Sequence, residues 1–479
     1  MKSQVNSRML VRLAIILVVE ATIAATAQVR IASAETLEAA LAYTYKNNPQ
    51  LEAQRAQVRA VDESVPQALA GYRPKASLTT GVGYQRLNTL TREISSTTPA
   101  GASASYFKQT GANTPQSYGV TLSQNLFNGF QTSNKVRQAE ALVLAARAQL
   151  RVTEQAVLLN AVTAYLNLLR DSAILDLQRR NRDVLEEQLR QTRVRMQSGN
   201  VTATDVSQAE ARLNVARTQV FGAEANYESS RALYREVIGL DAHKLSPAST
   251  IDRFAPTKLS DAIARAEADH PSVAVARYNV DAATLQTKIA EGALYPTVNL
   301  VGSAQKNYET SLTQLESFSA TVGGQMTVPL YQGGAEYSLI RQAKETQGQK
   351  QVELAVARDR ARTAVVQAWA QVEAAKLSLG STRAQVKSAE AALNGVREEA
   401  RLGQRTTLDV LNAQQELVNA RTAVVSAERD RVVNSYALLA AVGNLTPQAV
   451  GLKVPAYDAK VHYKAVRDAW SGIRTPDGR

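Results

Sequence analysis

The sequence has no cysteine, which removes disulfides, thiolate metal sites and an acylated N-terminal cysteine from consideration. No run of 18 or more apolar residues occurs, so no segment is suited to cross a bilayer as a helix. Aromatic residues are only 5% of 479 positions while hydrophobic residues are 45%, a balance that fits extended helical packing. Three histidines, His243, His270 and His462, lack metal-ligand spacing and read as surface or loop residues. Without a nucleophile elbow, phosphate loop or paired carboxylates, no enzyme activity, cofactor or metal is expected.

The net charge of +12, from 55 basic and 43 acidic residues, raises the question of nucleic acid. The basic residues are spread among acids along helical patterns, as in Arg179-Arg180-Asn181-Arg182-Asp183, and no aromatics interleave them. A solvated helical face is the better reading, and no nucleic-acid partner is expected. Lys2, Arg8 and Arg12, the apolar run 13–19 and Ala32-Ser33-Ala34 have the form of a secretory signal over residues 1–34, with Ala25-Thr26-Ala27 as a competing cleavage site.

Beyond the signal the chain is written twice. Leu126-Phe127-Asn128-Gly129 returns as Leu330-Tyr331-Gln332-Gly333, an offset of 204 that also relates Arg137-Gln138-Ala139 to Arg341-Gln342-Ala343 and Gly199 to Gly403. Upstream the offset is 222, relating Leu37, Pro49 and Pro74 to Leu259, Pro271 and Pro296. The copies span 35–240 and 259–443, joined by a linker at 241–258 and followed by a tail at 444–479. The change of offset puts about 18 extra residues between Pro74 and Leu126, the mark of a surface loop.

Each copy opens with helical spacing broken at prolines, then changes to a period of two. Ala76, Leu78, Val82 and Tyr84 alternate with small polar residues, as do Tyr118, Val120 and Leu122, and later Phe318, Ala320, Val322, Met326 and Val328. These are the strands of hairpins at 75–127 and 297–330, the first with a Ser-, Thr- and Gly-rich loop over 86–116. Strands of about ten residues with one apolar face suit either a sandwich or an outer-membrane barrel. The export signal and the lack of a second layer favour the barrel. Four strands cannot close one, and three chains would supply twelve.

After each hairpin, helical pattern runs over 132–198 and 336–402, a rod of about 100 Å. Return helices follow at 204–238 and 406–442. The first carries a small-residue seam, Val206, Ala209, Leu213, Ala216, Val220, Ala223, Tyr227, Ser230, Tyr234 and Val237, at coiled-coil spacing. The second keeps it to Ala427 and loses it at Arg431 and Asn434. The helices before the hairpin and after the turn sum to nearly the length of the long one, so two short helices stacked end to end can lie beside it. The linker and tail then fall near the middle of the rod.

The duplicated order of these motifs, with Asn48-Pro49, Thr204-Asp205-Val206, Pro329-Leu330-Tyr331-Gln332-Gly333-Gly334 and 403–411, resembles the TolC family of outer-membrane efflux and secretion channels over about residues 36–446. The resemblance implies an α+β membrane protein, a homotrimer with a twelve-strand barrel in outer-membrane lipid and a coiled-coil α-barrel through the periplasm. It also implies a periplasmic adaptor and an inner-membrane RND or ABC transporter as partners. In family terms, Thr204, Asp205 and Arg405 would link the turns that close the aperture, and Asp409 would ring its entrance as a cation-favouring filter. Ala400 stands where the better-known pattern has a linking tyrosine and Asn412 where it has a second ring aspartate, so a looser, less negative constriction is expected.

Gly199, Asn200, Val201, Gly403 and Gln404 would form the adaptor-docking surface. Local chemistry offers a second reading of the same turns. Thr202 with Asp205 and Thr406 with Asp409 fit the T-x-x-D helix-capping pattern, and both glycines suit left-handed helix ends. The competing function is a periplasmic coiled-coil adaptor or scaffold that never enters the membrane.

Overall fold

The computed structural model describes residues 35–95, 103–252, 256–476 and 478. The signal segment and its cleavage sites lie outside them. The first copy runs α1 (Leu37–Asn47), α2 (Pro49–Asp62), α3 (Ser64–Leu69), β1 (Lys75–Val82), β2 (Gln85–Ser95), β3 (Ser103–Asn113), β4 (Gln116–Asn128), α4 (Gln131–Gln197) and α5 (Ala203–Ile238). The second runs α6 (Leu259–Asp269), α7 (Pro271–Gly292), β5 (Thr297–Tyr308), β6 (Glu316–Thr327), α8 (Ala335–Arg401) and α9 (Thr407–Ala441), and a short α10 (Lys460–Val466) follows.

Local chemistry sets the helix breaks. Asn48 ends α1 in extended backbone and its side chain accepts from the N–H groups of Gln50 and Leu51, while Pro49 occupies the first turn, where no N–H is needed. His270 does the same before Pro271, its Nδ1 accepting from the Ser272 N–H. Pro66 has no N–H for the Asp62 carbonyl, so the first copy breaks at Glu63. Lys288 takes the matching place in the second copy, where α7 continues unbroken for 22 residues.

The two 67-residue helices α4 and α8 span about 100 Å each. α5 packs along α4 and α9 along α8, while α1, α2 and α3 cover the other half of α4 and α7 lies against both long helices. The duplication reaches the side chains. Arg179 meets Glu224 at 2.8 Å and Arg383 meets Glu428 at 2.9 Å; Arg217 meets Glu186 at 3.0 Å and Arg421 meets Glu390 at 2.7 Å. Each pair maps onto the other by the offset of 204.

At the midpoint of α4, Tyr165 is fully buried among Leu37, Leu41, Leu158, Tyr234, Ile238, Tyr436, Leu439, Leu445 and Leu452. Its hydroxyl lies 2.6 Å from the Glu35 carbonyl and 2.8 Å from the Ser246 carbonyl, and accepts from the Ser246 N–H at 3.1 Å. Burial pushes its pKa up to about 12, so it stays a donor. The residues after α5 and after α9 thus converge on the middle of the rod.

The helices differ from the sequence reading at two places. The small-residue seam of α9 does break at Arg431 and Asn434, but burial continues on a shifted face at Val432, Ser435, Tyr436, Leu438 and Leu439, because here α9 packs on α4 as well as α8. His462 is not a surface residue. It is 9% exposed, with Nδ1 3.2 Å from the Oδ2 of Asp62, a carboxylate at 0% exposure, because α10 folds back onto α2. His270 is half-buried as the helix cap described above.

The sheet has the order β1-β4-β5-β6, antiparallel throughout. Its register sets Leu78 opposite Val120, Val120 opposite Ala304 and Ala304 opposite Ala320, so the apolar residues of all four strands share one face. A bulge between Asn125 and Phe127 adjusts β4 at its helix end. Of the 86–116 segment, expected as loop, the described residues up to Ser95 and from Ser103 instead form a second ribbon, β2 paired with β3 from Gln85↔Asn113 outward. Its Thr, Leu, Tyr and Phe content suits paired extended chain, and the Gly83 N–H to Pro115 carbonyl bond joins it to the main hairpin.

Candidate channel entrance and membrane face

At the far end of the rod, both interhelical turns are built alike. Gly199 (φ +75°) and Gly403 (φ +77°) take the left-handed conformation that ends α4 and α8. The Asn200 N–H bonds the Arg195 carbonyl and the Gln404 N–H bonds the Glu399 carbonyl, closing two Schellman caps. Apart from the adjoining residues, nothing among the described residues lies within 4 Å of where a Cβ would stand on either glycine, so backbone conformation alone calls for glycine here. Asn200, Gln404 and Arg405 are exposed and Val201 is half-buried.

The return helices start with capping boxes. The Thr202 hydroxyl accepts from the Asp205 N–H at 3.3 Å, and an Asp205 carboxylate oxygen accepts from the Thr202 N–H at 2.9 Å and hydroxyl at 2.8 Å. Thr406 and Asp409 repeat this at 3.2, 2.9 and 2.8 Å. The bonds from the threonine amides hold both carboxyls below their ordinary pKa, so both aspartates are anionic at neutral pH. Thr204 stands exposed in the first turn of α5.

The expected meeting of Thr204 and Asp205 with Arg405 does not occur within the chain. Arg405 Nε bonds Glu399 Oε2 at 2.8 Å across its own turn, which raises the guanidinium pKa. Asn412 Oδ1 accepts from Arg212 Nη2 at 2.7 Å, a link from α9 to α5. Beneath it Leu411 packs among Leu185, Leu189, Ala209, Leu213 and Ala216, so the tips of the two hairpins are joined. Glu399 and Arg212 were missed in the sequence. The first lies six residues before Arg405, across a turn that reverses the chain; the second follows Asp205 by seven residues, two helical turns along one face.

At the other end, the apolar face of the sheet is uncovered. Leu78 (72% exposed), Val322 (82%) and Met326 (67%) have no packed layer over them among the described residues. The opposite face carries Ser77, Thr79, Thr121, Ser303 and Thr321, with Ser303 and Thr321 hydrogen bonded at 2.8 Å. Tyr118 and Tyr308 meet edge to face at one margin of the sheet and Phe127 and Phe130 at the other, where aromatic belts of a membrane protein lie. Twelve residues of β5 run about 40 Å along the strand, enough for the apolar core at a tilt of about 45°.

A sheet with a bare apolar face, set on duplicated coiled-coil hairpins about 100 Å long, is the architecture of an outer-membrane protein with a long helical extension. The chain belongs to the outer membrane efflux protein family, which matches residues 40–240 and 262–444. It is 41% identical over 449 residues to the outer membrane efflux protein BepC of Brucella suis, covering 94% of each chain. It is 28% identical over 430 residues to the outer membrane protein TolC of Vibrio cholerae, covering 85% of this chain and 92% of that one. Among solved structures, the CmeC outer membrane channel of Campylobacter jejuni shares the fold with a TM-score of 0.74 at 17% identity, over 90% of this chain and 89% of that one. The protein is a channel component of the Gram-negative outer membrane extending into the periplasm, and not an enzyme.

Proposed function

We propose that three copies of this chain close a twelve-strand barrel and form the passive exit duct of a tripartite efflux pump or type I secretion system. The observation that carries this reading is the sheet itself. Among the described residues β1 and β6 are unpaired edges beside an exposed apolar face, and an unpaired edge cannot stand in lipid. Pairing β6 of one protomer with β1 of the next satisfies both. Along the rod, Val352 (64% exposed) and Leu377 (74%) on α8 offer apolar surface to a neighbouring protomer.

The periplasmic turns are then the gate. Asp205 and Asp409 hold the starts of the return helices, Arg405 is held by Glu399, and Asn412 is held by Arg212. Exposed polar links are worth about 0–1 kcal/mol each, so a closed ring of them yields to adaptor docking on Gly199, Asn200, Val201, Gly403 and Gln404. An inner-membrane RND or ABC transporter supplies the driving force. With Asn412 neutral and Arg212 beside it, the entrance is less negative than a double aspartate ring.

The test is single-channel conductance of the purified protein in a planar bilayer, with chemical cross-linking to count subunits. A trimer with small conductance supports the duct. A soluble protein without conductance overturns it and returns the adaptor reading.

A further inference from the structure

The tail after α9 does not stop at the equator. Tyr457 lies against Arg55, whose guanidinium carbon is 5.1 Å from the ring centroid. His462 reaches Asp62, and Arg147 lies over Tyr463 at 5.0 Å. Val466 is buried at 4% exposure. Arg73 then donates to the Ala469 carbonyl at 2.5 Å and stacks over Trp470 at 4.9 Å. Arg73 is two residues before β1, so the tail has climbed from mid-rod to the foot of the sheet.

What it presents there is apolar and unshielded. Trp470 is 71% exposed, Ile473 is fully exposed and Tyr72 is 51% exposed. Arg73 stacks on Trp470, exposed Lys75 and Arg474 lie close by in sequence, and the one acidic neighbour among the described residues of the segment, Asp468, is paired with Arg467 at 3.6 Å. The same level of the molecule carries exposed Leu126, Phe130, Tyr295, Leu330 and Tyr331 at the strand-to-helix junctions.

We propose that residues 469–474 form a peripheral membrane anchor, with Trp470 and Ile473 seated in the periplasmic leaflet of the outer membrane and Arg73, Lys75 and Arg474 on anionic phospholipid headgroups. The inference rests on the lipid-facing reading of the sheet. Two observations commit the patch to lipid: it continues the aromatic margin of the sheet, and its charge is complementary to anionic headgroups. Tryptophan sits at headgroup level in aromatic belts, and the Arg73 guanidinium is attracted to its ring face.

The chain has two tryptophans, and Trp369 packs far from the sheet against the α6 cluster. In full-length Trp369→Phe channel reconstituted into phosphatidylcholine–phosphatidylglycerol vesicles, Trp470 is the sole reporter. Brominated acyl chains are expected to quench its emission, and Arg73→Ala with Arg474→Ala to lessen the quenching. Insertion is scored by conductance of the same vesicles. Unquenched Trp470 in a conducting channel overturns the anchor alone; absence of insertion overturns the lipid-facing sheet and the anchor with it.

Discussion

Arg212 on α5 donates to Asn412 on α9 at 2.7 Å, and the two are not equivalents in the repeat. Under the offset of 204, Arg212 corresponds to Glu416 and Asn412 to Gln208. The two hairpins of one chain therefore meet through different faces, a head-to-tail contact of the kind that can propagate into a ring.

In a closed ring, the equivalent contact across protomers joins Glu416 to Gln208 of the next chain. Because native cysteine is absent, engineered pairs read cleanly. Arg212→Cys with Asn412→Cys is expected to cross-link within a chain and leave the denatured mass unchanged. Gln208→Cys with Glu416→Cys is expected to yield covalent trimers on a denaturing gel. Monomer alone in the second variant would argue against ring closure at this level.

The Glu399–Arg405 pair predicts non-additive gating. Arg405→Ser is expected to raise resting conductance, and Glu399→Gln to raise it to a similar level by releasing the same side chain. The double variant should go no further. Additive increases would place the operative partner of Arg405 elsewhere, and unchanged closed-state conductance in Arg405→Ser would remove it from the gate.

The capping boxes predict a local stability loss. Thr202→Ala or Thr406→Ala should cost about 1 kcal/mol, seen as faster amide exchange in the first turn of α5 or α9 with the equatorial core unchanged. The folded-state pKa of Asp205 lies below the ordinary 3.8. Its contribution is present above 3.8 and lost as pH falls through the lower folded value. Amide exchange, corrected for its intrinsic pH dependence, should show loss of protection only below about pH 4.

Neighbouring residues on opposite faces of β6 separate lipid from lumen. Val322→Arg, at mid-strand on the apolar face, is expected to cost about 2–4 kcal/mol of barrel stability and to cut the yield of inserted channel. Thr321→Arg should insert normally and alter conductance. The reverse pattern in a bilayer assay would turn the barrel inside out.

Gly403 separates cap from docking surface. Gly403→Asn keeps a residue tolerant of positive φ and is expected to retain fold and conductance. Gly403→Val strains the turn. Loss of adaptor binding in the folded Asn variant would show that the bare glycine backbone is itself a docking feature; retained binding would reduce it to a cap.

Much of this architecture was legible because its signals are local. Seven-residue spacing marks the seam through Ala209, Leu213 and Ala216, alternation marks β6, and a threonine three residues before an aspartate marks each cap. The 86–116 ribbon escaped because serine, threonine and glycine are shared by loops and exposed strands, and only the partner strand distinguishes them. His462 escaped because its burial depends on Asp62, 400 positions away.

The sequence by itself determined the duplication, the lengths of the helices and strands, the caps and the apolar face of the sheet, since each follows from backbone hydrogen bonding and side-chain period within a few turns of chain. Only the tertiary structure decided that Arg405 pairs with Glu399, that Arg212 joins the hairpins through Asn412, and that the tail climbs to the foot of the sheet. Those choices depend on which of many chemically equivalent charges and aromatics the packed helices bring within about 3–5 Å of each other, and one-dimensional spacing carries no record of that distance.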